Sequence, residues 1–273
     1  MKKLLFLLCL LSWSALNAQK TINRPPFIAK ATETIEIAAV HLSDTATVID
    51  VDAKFTPKYW IRIAPATCLV ADNGERYQVR QGVGIELGQE FWMPESGEAT
   101  FSLIFPPLPP SVKSFDFVEG EGERDFNLFG ISLTGKLPKL QLPKGLEKAG
   151  KMTAVALPTP EIKEGTAIIS GRILDYKPSF RMKAELHSAD FLSPYGQKNT
   201  ELELDEVGNF QTEISVSHPS VAYLSVGGSV GSFLLSPGGE TKVTVNLREM
   251  TRASSRLQKD TKAEGKKVYF EGL

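Results

Sequence analysis

The chain has 273 residues, of which 42% are hydrophobic and 23% charged, and its formal net charge at pH 7 is −1. This composition is that of a globular protein of one large or two ordinary domains, and it excludes a disordered or collagen-like chain. The near-zero net charge provides no overall field to attract nucleic acid or an anionic membrane, so we expect no nucleic-acid partner.

Residues 1–18 have the pattern of a secretory signal peptide. Two lysines follow Met1, residues 4–11 form a short apolar core, and small residues lead up to Ala18. The apolar run is well short of the ~20 residues that a membrane span requires. We therefore expect cleavage after Ala18, a secreted, periplasmic location, and no stable membrane span after cleavage. Cys9 lies inside the apolar core, which argues against a lipoprotein.

After this cleavage the chain keeps a single cysteine, Cys68. One cysteine cannot form an internal disulfide or a C-x-x-C redox pair. Cys68 lies in the apolar, strand-like run 66–70, so we interpret it as a small buried hydrophobic residue and not as a reactive thiol.

Residues 19–137 are predicted to form a first β-sandwich domain. An extended lead-in at 21–30 is followed by short alternating or β-branched segments, none of which has a helical period. The turn Asp72-Asn73-Gly74 predicts a hairpin. The predicted strands are 32–40, 46–55, 59–63, 68–70, 77–79, 99–105, 115–118 and 126–133. The predicted core contains Trp60, Phe101, Phe105, Phe115, Phe117 and Ile131.

Residues 138–164 change character. They carry four prolines and scattered lysines without a sustained hydrophobic pattern. We expect a solvated Pro/Lys-rich linker, with one helical turn near 146–149.

Residues 165–248 are predicted to form a second β-sandwich domain. The strand at 167–175 contains the small residues Ser170 and Gly171, which predict a break in it. The other predicted strands are 182–186, 200–204, 210–216, 222–226, 231–235 and 241–247. The predicted fold class is therefore all-β, with two antiparallel β-sandwich domains of Ig-like or prealbumin-like type. The basic residues 249–273 are predicted to form a solvated, partly helical tail.

Metal-binding and nucleophilic patterns are absent from the sequence. The three histidines, His41, His187 and His218, are widely separated and give no zinc pattern. The run Gly227–Gly231 has the letters of a nucleophile elbow, but Ser229 falls between predicted strands with no helix after it. A tight turn is the better interpretation.

Two further runs lack the spacing of the ligand-binding motifs that they partly resemble. Gly82-Val83-Gly84 lacks the third glycine and the following helix of a dinucleotide-binding loop. The acidic run Glu119–Asp125 lacks the ligand spacing of a calcium-binding EF-hand, and a charged hairpin loop is favoured. We therefore assign no catalytic, cofactor-binding or metal-binding residue, expect no cofactor, and predict that the chain is not an enzyme.

Several short motifs recur in one known group of proteins. They are FPPLP at 105–109, FDFVEGE at 115–121, FGISL at 129–133, ISGRILDY at 169–176, GNF at 208–210, LLSPGGE at 234–240, SRLQKD at 255–260 and KVYF at 267–270. Together they resemble the β-rich N-terminal region of large secreted proteins of the TlpA-like thioredoxin family from Bacteroidetes.

The resemblance covers nearly all of the chain after residue 18, but it leaves out the family's active centre. That centre is a C-x-x-C on a thioredoxin-fold domain, which this chain lacks, so no catalytic residue is carried over. The resemblance implies a non-catalytic front end, either naturally short or truncated, with a protein or a separate thioredoxin-fold domain as partner.

Three functions stay open at this point. The first is a non-catalytic, secreted β-sandwich binding or interaction module. The second is the accessory or truncated part of a periplasmic thiol-disulfide oxidoreductase. The third is a hydrolase whose site is built on loops.

Overall fold

The computed structural model describes residues 20–122, 125–146, 162–189 and 196–271. The chain is nearly all β-strand, arranged in several mainly antiparallel sheets, and the predicted all-β sandwich class is confirmed. No helix within these described ranges has the length and apolar character needed to span a bilayer. The predicted signal peptide lies outside the described residues and stays a prediction.

The chain divides into two compact units. The first contains Met1–Pro26 and Thr32–Lys136, and the second contains Phe27–Ala31 and Leu137–Leu273. The division after Lys136 lies next to the end predicted for the first domain.

The strands up to residue 136 form two larger sheets and one small one. They are β1 (Lys20–Asn23), β2 (Ala29–Lys30), β3 (Ile35–Leu42), β4 (Thr47–Lys54), β5 (Trp60–Ile61), β6 (Cys68–Ala71), β7 (Arg76–Gln78), β8 (Gln81–Val83), β9 (Phe91–Trp92), β10 (Glu98–Phe105), β11 (Ser114–Val118) and β12 (Leu128–Ser132). Within the first unit, one sheet has the order β1-β3-β4-β10-β8 and another has the order β12-β11-β6-β7. The small third sheet contains β5 and β9.

The core of the first unit is formed by the alternate residues of its long strands. In β4, Ile49 and Val51 are buried, while Val48, Asp50 and Asp52 are partly exposed. The rings of Phe105 and Phe117 meet edge to face, with centroids 6.4 Å apart. Aromatic pairs favour such a T-shaped contact.

Most of the predicted core is buried, but Trp60 is not. Phe101, Phe105, Phe115, Phe117 and Ile131 are all buried, whereas 43% of Trp60 is exposed. The prediction for Trp60 is wrong because this residue points away from the core while its neighbour Ile61 points into it.

The predicted hairpin at Asp72-Asn73-Gly74 is present between β6 and β7. Gly74 has a φ of 85°, and its N–H donates to the Ala71 carbonyl at 2.8 Å. Cys68 is buried in β6, as expected from its apolar surroundings.

The second unit also contains two sheets. Its strands are β13 (Gly165–Leu174), β14 (Ala184–Ala189), β15 (Gln197–Leu202), β16 (Asn209–Val216), β17 (Ser220–Val226), β18 (Ser229–Leu235), β19 (Glu240–Asn246) and β20 (Val268–Glu271). The sheet orders are β16-β13-β19-β20 and β15-β14-β17-β18. β13 and β19 run parallel, so the first of these sheets is mixed while the other pairs are antiparallel.

Gly171 does not interrupt β13, which runs unbroken through it. A Cβ at this position would clash with the Val243 carbonyl oxygen of β19 and would lie 2.5 Å from the Phe210 ring of β16. The glycine therefore permits the close approach of both neighbouring strands instead of ending β13.

The segment after β19 differs from the expected solvated tail. A helix, α1 (Leu247–Ser254), follows β19 directly, and Asn246 caps it by accepting a hydrogen bond from the Glu249 N–H. β20 then pairs with β19 along the sheet edge. Tyr269 in β20 is buried.

Buried charges hold this segment in the second unit. Arg248 is almost fully buried, and its Nε lies 2.5 Å from an oxygen of Asp175. Arg248 also donates to the Pro138 carbonyl, which belongs to the predicted linker. A Glu249 carboxylate oxygen accepts from the Glu264 N–H at 2.5 Å. The segment was predicted to be solvated because Asp175 and Pro138, which contact Arg248, are distant in sequence, so a local count of charge misses these contacts.

The predicted helical turn at 146–149 falls mostly outside the described residues. Leu146, the last described residue before that gap, is buried.

Candidate binding surface

Trp60 and Trp92 are direct cross-strand partners in the β5–β9 sheet. They are the only tryptophans of the sequence after residue 13. The Met93 N–H donates to the Tyr59 carbonyl at 2.8 Å, so Tyr59 and Met93 form a hydrogen-bonded position. By the alternation of antiparallel pairing, Trp60 and Trp92 occupy the next, non-hydrogen-bonded position, where facing side chains lie closest.

The opposite face of this sheet is anchored in the first unit. Ile61 and Met93 are each only 3% exposed, and Ile63 is fully buried. The ring of Phe91 lies 6.3 Å from the ring of the core residue Phe101. A slip of one residue would expose these anchors and bury the tryptophans, so packing on the inner face fixes the register.

Two tryptophan side chains are exposed on the outer face of this small sheet. Trp60 is 43% exposed and Trp92 is 60% exposed. We call these two residues the aromatic platform. Tyr59 is 62% exposed, but its pairing with Met93 places it on the other face of the sheet. Isolated exposed apolar residues are normal on protein surfaces, but clusters of large ones commonly mark binding sites.

The turns at one end of the sheet pack tightly against each other. The Phe55 N–H donates to the Gly97 carbonyl at 2.9 Å, and the Gly97 N–H donates to the Pro94 carbonyl at 3.0 Å. Gly97 has a φ of 68°, and a Cβ there would lie 2.6 Å from the Phe55 carbonyl oxygen. Only glycine fits this position without strain.

Glu119 holds the chain at the other end of the sheet. One of its carboxylate oxygens accepts from the Ala64 N–H at 2.8 Å, and the other accepts from the Phe126 N–H at 2.7 Å. The Ala64 carbonyl in turn accepts from the Thr67 hydroxyl at 2.6 Å. Burial raises the pKa of Glu119 above its usual value, against the opposing effect of the two backbone N–H groups.

This burial differs from the charged hairpin loop predicted for Glu119–Asp125. Glu119 is 8% exposed. Asp125 closes the loop on itself, because its carboxylate accepts from the Gly122 N–H at 2.7 Å. The carboxylates of Glu119 and Asp125 fix the backbone by accepting from N–H groups. A run of acidic residues in the sequence does not predict these hydrogen bonds.

Charged side chains of both signs surround the aromatic platform. Lys58 and Glu95 form an exposed ion pair at 3.0 Å. Arg62 and Glu90 are also exposed, each two residues from a platform tryptophan. Because side chains alternate between faces along a strand, they lie on the same face as Trp60 and Trp92.

A row of polar side chains crosses β1, β3, β4 and β10 elsewhere in the first unit. His41 lies 2.7 Å from one oxygen of Asp50, and the Ser102 hydroxyl donates to the other oxygen at 2.7 Å. Thr21 lies 3.0 Å from the second nitrogen of the His41 ring. The carboxylate stands between serine and histidine, whereas nucleophilic catalysis needs the serine to contact the base.

The other two histidines lie in separate surroundings in the second unit. The His187 ring stacks on Tyr223, with centroids 4.2 Å apart, and its Nδ1 lies 2.8 Å from the Asn199 side-chain oxygen. His218 contacts the neighbouring Ser217. In the part of the chain that the structure describes, no group of three or more His, Cys, Asp or Glu residues is placed to hold a metal ion.

The glycine motifs occupy turns or strands. Gly227, with a φ of 59°, lies between β17 and β18, and the Val226 N–H donates to the Gly228 carbonyl at 2.8 Å. Ser229 begins β18. Gly82 lies in β8, and Gly84 follows it with a φ of 82°.

An open cleft of about 350 Å³ lies in the second unit. Its lining residues are Lys139, Leu140, Leu142, Lys262, Ala263 and Glu264. These residues come from the predicted linker and the predicted tail, the two segments that Arg248 ties together.

The chain matches no family model and no curated protein. Among solved structures, it is similar to a pullulanase type I from Bacillus subtilis str. 168 complexed with maltose, with a TM-score of 0.25 and 7% identity over 78% of this chain and 25% of that chain. It is also similar to a pullulanase from Anoxybacillus sp. LM18-11, with a TM-score of 0.21 and 11% identity over 70% of this chain and 24% of that chain. The chain thus spans about a quarter of each enzyme, and TM-scores this low carry no functional argument.

The sequence interpretation did not identify the aromatic platform. It placed Trp60 in the core and assigned Trp92 to no strand. The run Tyr59-Trp60-Ile61-Arg62-Ile63 nevertheless contains the necessary information. With a period of two, Trp60 shares a face with the charged Arg62, and Ile61 shares the other face with Ile63. The face with the arginine is the one that meets solvent.

Proposed function

We propose that the chain is a secreted, non-catalytic β-sandwich module that binds its ligand on the aromatic platform. The observation that carries this proposal is the outward pairing of Trp60 and Trp92 on a sheet whose inner face is buried. Tryptophan and tyrosine are enriched among the residues that supply most of the energy of binding surfaces.

The buried anchors also prepare the platform for binding. Ile61 and Met93 fix the backbone on which the two tryptophans stand. A surface that is already ordered loses little conformational entropy when a ligand binds, so more of the contact energy contributes to affinity.

The two alternative functions stay predictions. An accessory role beside a thioredoxin-fold domain is compatible with a binding module, since such a domain would then be a partner. For a hydrolase, the polar row of His41, Asp50 and Ser102 offers no serine–histidine contact.

Tryptophan fluorescence tests the binding function directly. With Trp13→Phe in the full chain, all tryptophan emission comes from the platform. We expect one class among oligosaccharides, peptides and lipid vesicles to change this emission with saturation. Trp92→Ala should then weaken binding of that class, measured by calorimetry, by about tenfold or more, because an anchor aromatic typically contributes over 1 kcal/mol.

Val221→Ala is the matched control, because Val221 is an exposed apolar residue of the second unit. It should leave the affinity unchanged. The proposal fails if no class changes the emission, or if Trp92→Ala and Val221→Ala bind equally well.

A further inference from the structure

We propose that the ligand of the aromatic platform is a neutral oligosaccharide. This inference rests on the proposed function and names the chemical class that the surface fits. The size of the platform, the chemistry of its rings and the balance of charge around it all favour such a ligand.

The platform is too small for a stable protein interface. Each of its two tryptophans exposes about half of its surface, so together they offer on the order of 200 Å². A stable protein interface needs ~800 Å² from each partner. Two sugar rings, in contrast, can be covered by a surface of this size.

The chemistry of the platform suits a sugar ring. A sugar ring has an apolar face of C–H groups and an edge of hydroxyl groups. An indole offers a flat apolar face for the first. Arg62 can supply hydrogen-bond donors and Glu90 acceptors for the second, since both are exposed and each lies two residues from a platform tryptophan.

The charge around the platform favours a neutral ligand. Lys58 is paired with Glu95 at 3.0 Å. Arg62 and Glu90 add one further charge of each sign. A surface that selects a polyanion has a clear excess of lysine and arginine, and the four side chains around this platform cancel.

The pairing of two tryptophans sets a minimum length for the ligand. Trp60 and Trp92 lie directly opposite each other, so one ring stacked on each requires at least two linked sugars. A single monosaccharide contacts one indole only, and we expect it to bind at least tenfold more weakly than an oligomer.

Calorimetry on the full chain tests the inference. The probes are hexasaccharides of neutral α- and β-linked glucose, xylose and mannose, with a hexamer of uronic acid, a DNA oligonucleotide and an aromatic peptide for comparison. We expect at least one neutral hexasaccharide to bind, with roughly millimolar affinity for a single small site. Its affinity should change less than about twofold between low and high salt, because no ion pair is formed.

Three variants establish whether binding occurs at the platform. Trp92→Ala should weaken binding of the neutral hexasaccharide at least tenfold, whereas Trp92→Phe, which keeps a ring, should stay within about threefold of the native chain. Val221→Ala should have no effect. All three should keep the native melting temperature within a few degrees, because the changed side chains are exposed.

The outcomes separate this inference from the proposed function. Platform-dependent binding of the peptide or a charged probe, without binding of any neutral hexasaccharide, overturns the inference and leaves the binding function standing. Absence of binding by every probe, or binding that is insensitive to Trp92→Ala, overturns both.

Discussion

Glu119 in the first unit accepts hydrogen bonds from a residue that is distant from it in sequence. Glu119 connects Ala64, three residues after the end of β5, to Phe126 through its two carboxylate oxygens. Loss of the carboxylate would leave two backbone N–H groups without this acceptor. Unsatisfied buried groups cost about 1–3 kcal/mol each.

The stability of the first unit is expected to depend on the ionisation of Glu119. Burial raises its pKa from 4.5, and the nearby Asp125 adds to this effect, while backbone N–H groups and Arg62 oppose it. The folded state therefore holds the proton to higher pH than the unfolded state does. The contribution of Glu119 to the free energy of unfolding is therefore fully present below pH 4.5 and is lost as pH rises through the raised pKa.

Urea denaturation of the native chain and of Glu119→Gln between about pH 4 and pH 8 measures this dependence. The stability advantage of the native chain over the variant should decrease as pH rises. An advantage that increases with pH would show that the pKa of Glu119 is lowered in the folded state.

The burial of individual residues was only partly predictable from the sequence. Cys68 was placed correctly, because the run 66–70 around it is mainly apolar. Trp60 was placed in the core on residue type alone, although the neighbouring Arg62 marks its face as solvent-exposed. Glu119 was placed in a charged loop, because backbone acceptor contacts with distant loops leave no local pattern.

At the scale of elements, the β5–β9 sheet depends on the tight turns beside it. Gly97 combines a φ of 68° with a close approach to the Phe55 carbonyl. Gly74, in the β6–β7 hairpin, has a φ of 85° but no atom near its missing side chain. Substitution of Gly74 therefore measures the cost of the backbone conformation alone, and substitution of Gly97 measures that cost together with a steric clash.

Gly97→Ala should destabilise the first unit more than Gly74→Ala does. Both substitutions place alanine in the left-handed region, which costs about 1–2 kcal/mol. Only Gly97→Ala adds a steric clash, and we expect at least ~1 kcal/mol more from it. Chemical denaturation of the two variants measures the difference. Equal losses would mean that the turns move apart freely and do not anchor the platform.

Several of the long strands were predicted, because a period of two is a local property, whereas the short strands β8 and β9 were missed. The predicted strand 210–216 is present as β16, and 231–235 lies within β18. β20 was missed because its role depends on pairing with β19, more than twenty residues earlier. The parallel pairing of β13 with β19 likewise joins segments that no local pattern connects.

At the scale of the whole molecule, the chain consists of two β-sandwich units with different exposed features. The first carries the aromatic platform, and the second carries the cleft lined by Lys139 and Lys262. The all-β class was predictable from the sequence, because short alternating segments run through both units. The aromatic platform was not, since Trp60 and Trp92 meet only through a strand pairing between distant segments.

The proposed ligand binds on Trp60 and Trp92. NMR measures binding at these residues directly, because each indole N–H gives its own signal, and Trp13→Phe leaves only the signals of Trp60 and Trp92. On titration of the full chain with neutral hexasaccharide, we expect both indole signals to shift and to saturate with one dissociation constant. A titration that shifts backbone amides elsewhere in the chain and leaves both indole signals in place would contradict the account.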